Sequence, residues 1–357
     1  MMRIVLLIPV AVLLLLVGVY LLTPRATLEI PEAPVGYLDA HAHIAGIGAG
    51  GSGCFLHPDL RDSFRFMFYL RAFGVTEGEL EQHGDELIAR RMNRMIAESR
   101  YVRSAVVLAL DGVVRDDEID RDATQVYVPN AFVSQLAKEY PHLEYGASVN
   151  PEWSDWRERL QQAKRDGALL VKWLPAIMHI DPADERYVPY YRTLVELGLP
   201  LLVHVGEERS FGQADDSLGD PRKLELPLEQ GVTVIAAHVA TTGEYENEAS
   251  HKRLLSMFKE YPNLYADISS LTQINKLGYL ADVLEVPGVE ERLLYGSDWP
   301  LQFFPLVSAV YHWPDIDVPR IKSIQRIENE WDHDVVLKTA LGVPPSVFER
   351  SAALLLH

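Results

Sequence analysis

The sequence predicts an α/β protein in which eight parallel strands close into a (β/α)8 barrel, or TIM barrel. Three observations lead to this fold class. Eight short apolar runs recur along the chain, predicted helices lie between most of them, and the runs are almost continuously apolar instead of alternating. Strands of this kind are buried on both faces of a parallel sheet that is covered by helices. Eight strand–helix units fit a closed barrel better than an open sheet.

The predicted strands follow one another between residues 35 and 300. They are VGYLDAH (35–41), SAVVLALD (104–111), LEYGASVN (143–150), ALLVKWLP (168–175), LPLLVHVG (199–206), VTVIAAHV (232–239), LYADISS (264–270) and RLLYGSDWP (292–300). Helices are predicted over 84–100, 129–140, 154–166, 187–197, 249–260 and 274–285, with a weaker one around 221–230. About sixty residues separate the first two strands, and this insertion is expected to form a loop and helices over the barrel mouth. Two closing helices are predicted within 335–357.

The N-terminal part of the chain is predicted to be a transmembrane helix. Residues 4–22 form a stretch of 19 residues without a charge, which as a helix is about 28 Å long and can cross a bilayer core. An uncleaved anchor is favoured over a secretory signal because no A-x-A-like cleavage site follows the stretch. The expected organisation is a membrane anchor over 1–25 and a barrel domain over 26–357 on the periplasmic or extracellular side.

The charge of the chain argues against a nucleic-acid partner. Lys and Arg number 33 against 51 Asp and Glu, which gives a formal net charge of −18 at pH 7. A chain this acidic, without a long basic run, is a poor partner for nucleic acid or for anionic lipid headgroups. The expected partners are a small-molecule substrate and, through the N-terminal helix, a membrane; assembly into a homo-oligomer stays open. Cys54 is the single cysteine, which excludes an intrachain disulfide and a cysteine-based zinc cluster.

The first predicted strand ends in two histidines one residue apart, within LDAHAHIAG (38–46). Alternate side chains of a strand share a face, so Asp39, His41 and His43 are predicted to project the same way, with Asp39 deeper and supporting a ligand. Four later strand ends are also polar, with Lys172, His204, His238 and Asp298. Because barrel active sites lie at the carboxyl ends of the strands, these residues are expected to meet at one mouth. Neutral imidazole and carboxylate groups suit Zn²⁺, with Mn²⁺ or Fe²⁺ as alternatives.

This ordered set resembles the metal-dependent amidohydrolase superfamily, in particular its amidohydrolase-related (amidohydrolase 2-like) branch, which also contains decarboxylases and lactonases. The resemblance runs from the HxH of the first strand to the Asp of YGSDWP. It implies one or two divalent metal ions, with His41, His43 and Asp298 as ligands. Asp298 would also take the proton from the attacking water. His204 would bind the first or a second ion, and His238 would bind a second ion or orient water and polarise the scissile group.

Lys172 separates a one-metal site from a two-metal site. In the binuclear members of the family a strand-4 lysine is carbamylated and bridges the two ions. The alternatives are a salt bridge to Asp298 or Glu207, or a cation that holds an anionic substrate, since an unpaired ammonium within a strand is poorly solvated. These interpretations stay open on the sequence, and Lys172 is kept in the predicted ligand set.

The resemblance implies a hydrolase that uses metal-activated water on an amide, lactone or ester of a small molecule. A first alternative keeps the same ligands and performs non-oxidative decarboxylation of an aromatic or unsaturated acid. A second alternative is a catalytically inactive, membrane-attached binding protein. The complete ligand set argues against this last alternative, because a scaffold has no physical reason to keep those residues together.

Overall fold

The computed structural model describes Gly18 and residues 22–28, 36–212 and 214–356. The predicted transmembrane helix over 4–22 lies almost entirely outside these residues, so it stays a prediction. Across the described part of the chain, no helix is both long enough and apolar enough to cross a bilayer.

Eight parallel strands form one sheet in chain order, as the sequence predicts. They are β1 (Tyr37–His43), β2 (Val102–Leu108), β3 (Leu143–Ala147), β4 (Leu170–Trp173), β5 (Leu201–Val203), β6 (Val234–Ala236), β7 (Leu264–Asp267) and β8 (Leu293–Leu294). The two edge strands meet through backbone bonds, from Ala40 N to Tyr295 O at 3.0 Å and from His43 N to Trp299 O at 2.8 Å. The sheet is therefore a nearly closed, TIM-like barrel. Its apolar interior contains Leu38, Ala40, Val106, Leu108, Leu170, Leu202, Ile235 and Leu294.

Fourteen α-helices occur within the described residues. They are α1 (Pro58–Arg61), α2 (Phe64–Ala72), α3 (Glu77–His83), α4 (Glu86–Ala97), α5 (Asn130–Glu139), α6 (Trp156–Arg165), α7 (Pro175–Met178), α8 (Val188–Leu197), α9 (Glu225–Glu229), α10 (Ser250–Met257), α11 (Tyr279–Leu284), α12 (Val318–Ile324), α13 (Glu330–Ala340) and α14 (Pro345–Leu355). Each helix predicted between strands is found inside its predicted range. The closing pair is α13 and α14, and α13 begins five residues earlier than predicted.

The insertion between β1 and β2 carries α1 to α4, and its glycine-rich start is fixed by a buried carboxylate. Asp85, at the start of α4, accepts hydrogen bonds from Ile47 N at 3.0 Å and Gly48 N at 2.9 Å, and from Ser52 Oγ at 2.5 Å. A Cβ atom on Gly46 would lie 2.1 Å from Asp85 Oδ2. Only glycine allows the loop to approach the carboxylate this closely. The glycine at position 46 thus serves a loop that packs closely on Asp85 and lines the pocket at the barrel mouth.

β1 contains a bulge just before its histidines. The pairing with β2 advances from Asp39 to Ala42, three residues along β1, while β2 advances by two. Before the bulge, Leu38 and Ala40 pack into the barrel interior. After it, His41 lines the pocket at the mouth. One extra residue shifts the alternation of the strand by one, so the inward-facing set changes from even to odd numbers.

The prediction that Asp39 shares a face with His41 and His43 is therefore wrong, and the bulge is the physical reason. The Asp39 carboxylate accepts hydrogen bonds from Ser297 N at 2.9 Å and Trp331 Nε1 at 2.9 Å. It also accepts one from the backbone N of His41 at 3.0 Å. Asp39 joins β1 to the segment after β8 and to α13. It supports the backbone of His41 and does not contact the imidazole ring.

Candidate active site

One pocket at the carboxyl ends of the barrel strands is lined by all six predicted ligand residues: His41, His43, Lys172, His204, His238 and Asp298. They reach the pocket from β1, from β4 and from the segments that directly follow β5, β6 and β8. The pocket holds about 1040 Å³ of space, its open mouth included. Residues far apart in the sequence meet here because all eight parallel strands end at the same side of the barrel.

One compact cluster of possible metal ligands consists of His41, His238 and Asp298. Each offers one nitrogen or oxygen atom, and these three atoms lie within 4.8 Å of one another. The rings of His41 and His238 stack with their centroids 5.0 Å apart, and His41 Nε2 lies 3.9 Å from Asp298 Oδ1. Three buried donors at such spacing form a candidate metal centre, because imidazole nitrogen and carboxylate oxygen are typical ligands of zinc.

His43 and Lys172 adjoin this cluster. His43 Nε2 lies 3.1 Å from His41 Nε2 and 3.3 Å from Asp298 Oδ1. Lys172 Nζ lies 3.4 Å from His41 Nε2. In the part of the chain that the structure describes, no ion pair within 4.0 Å joins Lys172 to Asp298 or to Glu207, and Glu207 pairs instead with Arg209. The salt bridge that the sequence left open as an alternative is therefore not formed among the described residues.

His204 lies beside the cluster. Its ring centroid is 5.3 Å from that of His238, and its Nε2 lies 3.3 Å from Glu208 Oε2. This contact lacks hydrogen-bond geometry, so Nε2 is buried without a hydrogen-bond partner. A buried polar atom without a partner is costly, and a metal ion or a water molecule at this position would satisfy it. His204 is thus available to a metal ion although it lies outside the cluster of His41, His238 and Asp298.

Asp267, at the end of β7, is a site residue that sequence reasoning missed. It is fully buried, and its Oδ2 accepts a hydrogen bond from His41 Nδ1 at 2.8 Å. Its Oδ1 accepts hydrogen bonds from the backbone N of His238 at 3.0 Å and from Ser269 Oγ. Burial acts to raise the pKa of Asp267, but the bonds and charge of His41 outweigh it and hold the pKa well below its usual range. With Nδ1 bonded, His41 turns the lone pair of Nε2 toward the pocket.

The backbone at His238 and Asp298 is left-handed. The φ angle is +54° at His238 and +66° at Asp298. Such a conformation at a residue other than glycine costs about 1 kcal/mol or more and concentrates at functional sites. Nδ1 of His238 lies 2.7 Å from Ser269 Oγ and 3.1 Å from Ser270 Oγ. Lys276 Nζ donates to the same Ser270 Oγ at 2.6 Å, which fixes the serine beside the ring.

The protonation states of the cluster favour cation binding. Burial lowers the pKa of His41 to about 4 and that of His238 well below its usual value, so both rings are neutral at pH 7. Burial acts to raise the pKa of Asp298, but the hydrogen bond with His43 and the positive charge of Lys276 act against it, and the pKa lies below its usual value, so the carboxylate is ionised. Burial also lowers the pKa of Lys172 to about 8. Neutral imidazoles beside an ionised carboxylate are the forms that coordinate a metal ion.

Solved structures of other proteins are similar to this chain to different degrees. An uncharacterized TIM-barrel protein from Bordetella bronchiseptica is 16% identical, with a TM-score of 0.55 over 90% of this chain and 98% of its own. A proposed 2-pyrone-4,6-dicarboxylic acid hydrolase from Pseudomonas putida is also 16% identical, with a TM-score of 0.50 over 90% and 98%. A 5-carboxyvanillate decarboxylase from Sphingomonas paucimobilis is 11% identical, with a TM-score of 0.46 over 90% and 99%. Similarity at this level concerns the fold alone.

The family is shown by the sequence itself. No curated protein sequence matches the chain. Residues 39–305 match the family model described as Amidohydrolase, and this range contains all six predicted ligand residues of the pocket. The chain therefore belongs to the amidohydrolase family, in its amidohydrolase-2-like branch.

Proposed function

We propose that this protein is a metal-dependent hydrolase of a small-molecule amide, lactone or ester. The observation that carries the proposal is the convergence of one donor atom each from His41, His238 and Asp298 within 4.8 Å. The buried, unbonded Nε2 of His204 beside them fits a further ligand. Nitrogen and oxygen donors of this kind suit zinc, and Mn²⁺ or Fe²⁺ fit the same set.

The predicted ligands have different proposed roles in metal binding. His41, His43 and Asp298 would hold a first cation, and His204 or His238 would complete its coordination or hold a second. When bound, a divalent cation polarises a carbonyl group and lowers the pKa of water. Lys172 would bridge two cations as a carbamate, or would contact the substrate as a cation. A metal content of about one ion per chain would support Lys172 as a cation that contacts the substrate. A content of about two ions per chain would support Lys172 as a bridging carbamate.

Asp298 and His238 are the proposed catalytic residues. The ionised carboxylate of Asp298 accepts the proton of the attacking water and returns it to the leaving group. The Nδ1 atom of His238 faces two serines, so its Nε2 is free to orient the water and to polarise the scissile carbonyl. Both side chains line the pocket. The left-handed backbone at both positions fits a role that outweighs its conformational cost.

The test compares Asp298→Asn with His41→Ala in metal-replete protein. Asparagine keeps the shape of the side chain and a weakly coordinating oxygen, but it cannot take a proton. Asp298→Asn is therefore expected to keep most of the metal and to lower kcat by about 10²- to 10⁴-fold, the usual contribution of a general base. His41→Ala removes a ligand, so metal content and activity should fall together. Near-wild-type kcat in metal-loaded Asp298→Asn would remove Asp298 from proton transfer, and wild-type protein without metal would overturn the site.

We also propose that residues 4–22 tether the barrel to a membrane. The support is the uncharged 19-residue stretch, which is followed by a segment that contacts the barrel domain. In that segment, Ala26 N donates to Pro319 O at 3.2 Å, and Ser323 Oγ of α12 donates to Ala26 O at 2.7 Å. These two contacts support a boundary between the proposed anchor and the barrel domain near residue 25.

A further inference from the structure

The pocket has a polar floor, formed by the six predicted ligand residues and Glu208, and an apolar wall. The wall is built by the insertion between β1 and β2, through Leu60 of α1, Phe66 and Leu70 of α2, Leu80 of α3 and Ile88 of α4. None of these five side chains is more than 7% exposed. All four helices of the insertion therefore present apolar side chains to the space above the floor. A wall of this kind stabilises an apolar ligand by removing its surface from water.

The charged groups of the pocket all lie at the floor and contact its histidines. Lys172 lies beside His41, and Glu208 lies beside His204. Asp298 is the third charged residue of the pocket. Among the described residues that line it, none is an arginine, and Lys172 is the one cation other than histidine. A carboxylate or phosphate on the part of a substrate that touches the wall would be buried without a counter-charge, which is strongly unfavourable.

We infer that the substrates are uncharged esters, lactones or amides whose non-reacting part is an aliphatic or aromatic group seated against α1 to α4. This inference rests on the proposed hydrolase function and adds the substrate class. The carbonyl group lies at the floor, where the ligand cluster and Asp298 meet. The acyl carbon–oxygen or carbon–nitrogen bond breaks, the oxygen of water bonds to the acyl carbon, and the proton accepted by Asp298 passes to the leaving alcohol or amine.

The first experiment measures kcat/KM of the full-length, metal-loaded protein on 4-nitrophenyl acetate, butyrate and hexanoate. Each methylene buried against the wall is expected to raise kcat/KM about threefold to fourfold, from the usual gain for a buried CH₂ group. The four methylenes between acetate and hexanoate then give a rise on the order of 10². Equal values along the series would overturn the inference while leaving the hydrolase function intact.

The second experiment places a charge on the wall. Leu56 lines the pocket and is half-buried, and its neighbour Phe55 is equally half-buried but does not line it. Leu56→Arg is expected to lower kcat/KM for the hexanoate ester at least tenfold and to raise it for the anionic hemi-adipate ester, which then finds a counter-charge. Phe55→Arg is the matched control and should change neither value by more than about twofold. The same loss in both variants would contradict a specific role of the wall, and the wild-type ester series still tests the inference if Leu56→Arg does not fold.

A binding measurement separates failure of the inference from failure of the proposed function. The uncharged fluorescent probe N-phenyl-1-naphthylamine is titrated into the protein with and without metal, and hexanoate ester is used to displace it. Binding that is weakened by Leu56→Arg and not by Phe55→Arg, in a metal-loaded protein that hydrolyses none of a matched set of hexanoate ester, lactone and amide substrates, supports the apolar pocket and refutes the hydrolase proposal. No binding, or a preference for dicarboxylate substrates over the hexanoate ester, refutes the apolar pocket.

Discussion

Replacing Asp267 by asparagine tests whether one carboxylate sets the metal affinity of the site. Asp267 accepts hydrogen bonds on both oxygens, from His41 Nδ1 on one and from the backbone N of His238 and from Ser269 on the other. The amide of asparagine has one acceptor and one donor end. Its oxygen can therefore serve only one of these two groups of donors.

The more favourable orientation of the amide is the one that harms the site. If the amide oxygen faced His41, its NH₂ group would oppose two buried backbone N–H groups, each left unsatisfied at about 1–3 kcal/mol. If the NH₂ group faces His41, the Nδ1 of that histidine becomes an acceptor and its proton moves to Nε2, which points into the cluster. A protonated Nε2 cannot coordinate a metal ion. Changes of this kind around a metal-binding histidine lower metal affinity about 10- to 100-fold, or about 1.4–2.7 kcal/mol.

The assay is a competitive zinc titration of the purified protein against a chelating indicator at pH 7, with unfolding by denaturant measured in parallel. Asp39→Asn is the matched control, because Asp39 is equally buried and bonds the backbone of His41 without contacting its ring. Its metal affinity should stay within about twofold of wild type while its free energy of unfolding falls by about 1–3 kcal/mol. Wild-type affinity in Asp267→Asn, or an equal loss of affinity in Asp39→Asn, would refute the reasoning.

Two further predictions concern stability. Burial raises the pKa of Glu330 from 4.5 to about 7, although its carboxylate accepts a hydrogen bond from Trp299 Nε1. Between these two pH values the folded protein keeps a proton that the unfolded chain releases. The free energy of unfolding therefore falls as the pH rises through this range. Glu330→Gln should therefore raise the free energy of unfolding at pH 8 by about 1–2 kcal/mol and leave it unchanged at pH 4. The gain is smaller than the full pKa shift implies because the side chain is partly exposed and lies at the start of α13. Equal effects at both pH values would contradict this prediction. Removing residues 1–21 keeps the contacts of residues 22–28 with α12. The truncated protein should therefore need no detergent, and its Tm should lie within about 2 °C of that of the full chain. Aggregation of the truncated protein alone would show that the removed segment packs on the barrel.

The barrel could be predicted because eight short apolar runs recur along the chain with predicted helices between most of them. Strands of a parallel sheet are buried on both faces, so eight apolar runs were enough to predict eight parallel strands. Their order in the sheet is their order in the chain. Lys172, His204, His238 and Asp298 could be placed at one mouth for the same reason. The positions of polar residues at strand ends thus follow from local sequence together with the closure of the barrel.

The remaining features depend on tertiary contacts. The extra residue that turns His41 into the pocket has no local signal, since DAHAH reads as a regular strand. Asp267 was not predicted as a site residue, although an acidic residue at the carboxyl end of an apolar strand could have indicated one. The apolar wall could not be predicted in detail because α2 has apolar residues on several sides, and Phe64 and Met67 are 82% and 67% exposed while Phe66 is buried.

The bulge in β1 divides one strand into two segments with independent requirements. Leu38 and Ala40 are constrained by the volume of the barrel interior, whereas the two histidines are constrained by the positions of the ligands on other strands. Without the bulge, any substitution that shifted β1 relative to its neighbouring strands would disturb the core packing and the histidine positions together. With it, a small shift of the lower segment can be absorbed before it reaches His41. This amidohydrolase can therefore vary its core packing along β1 while the spacing of its ligand cluster stays constant.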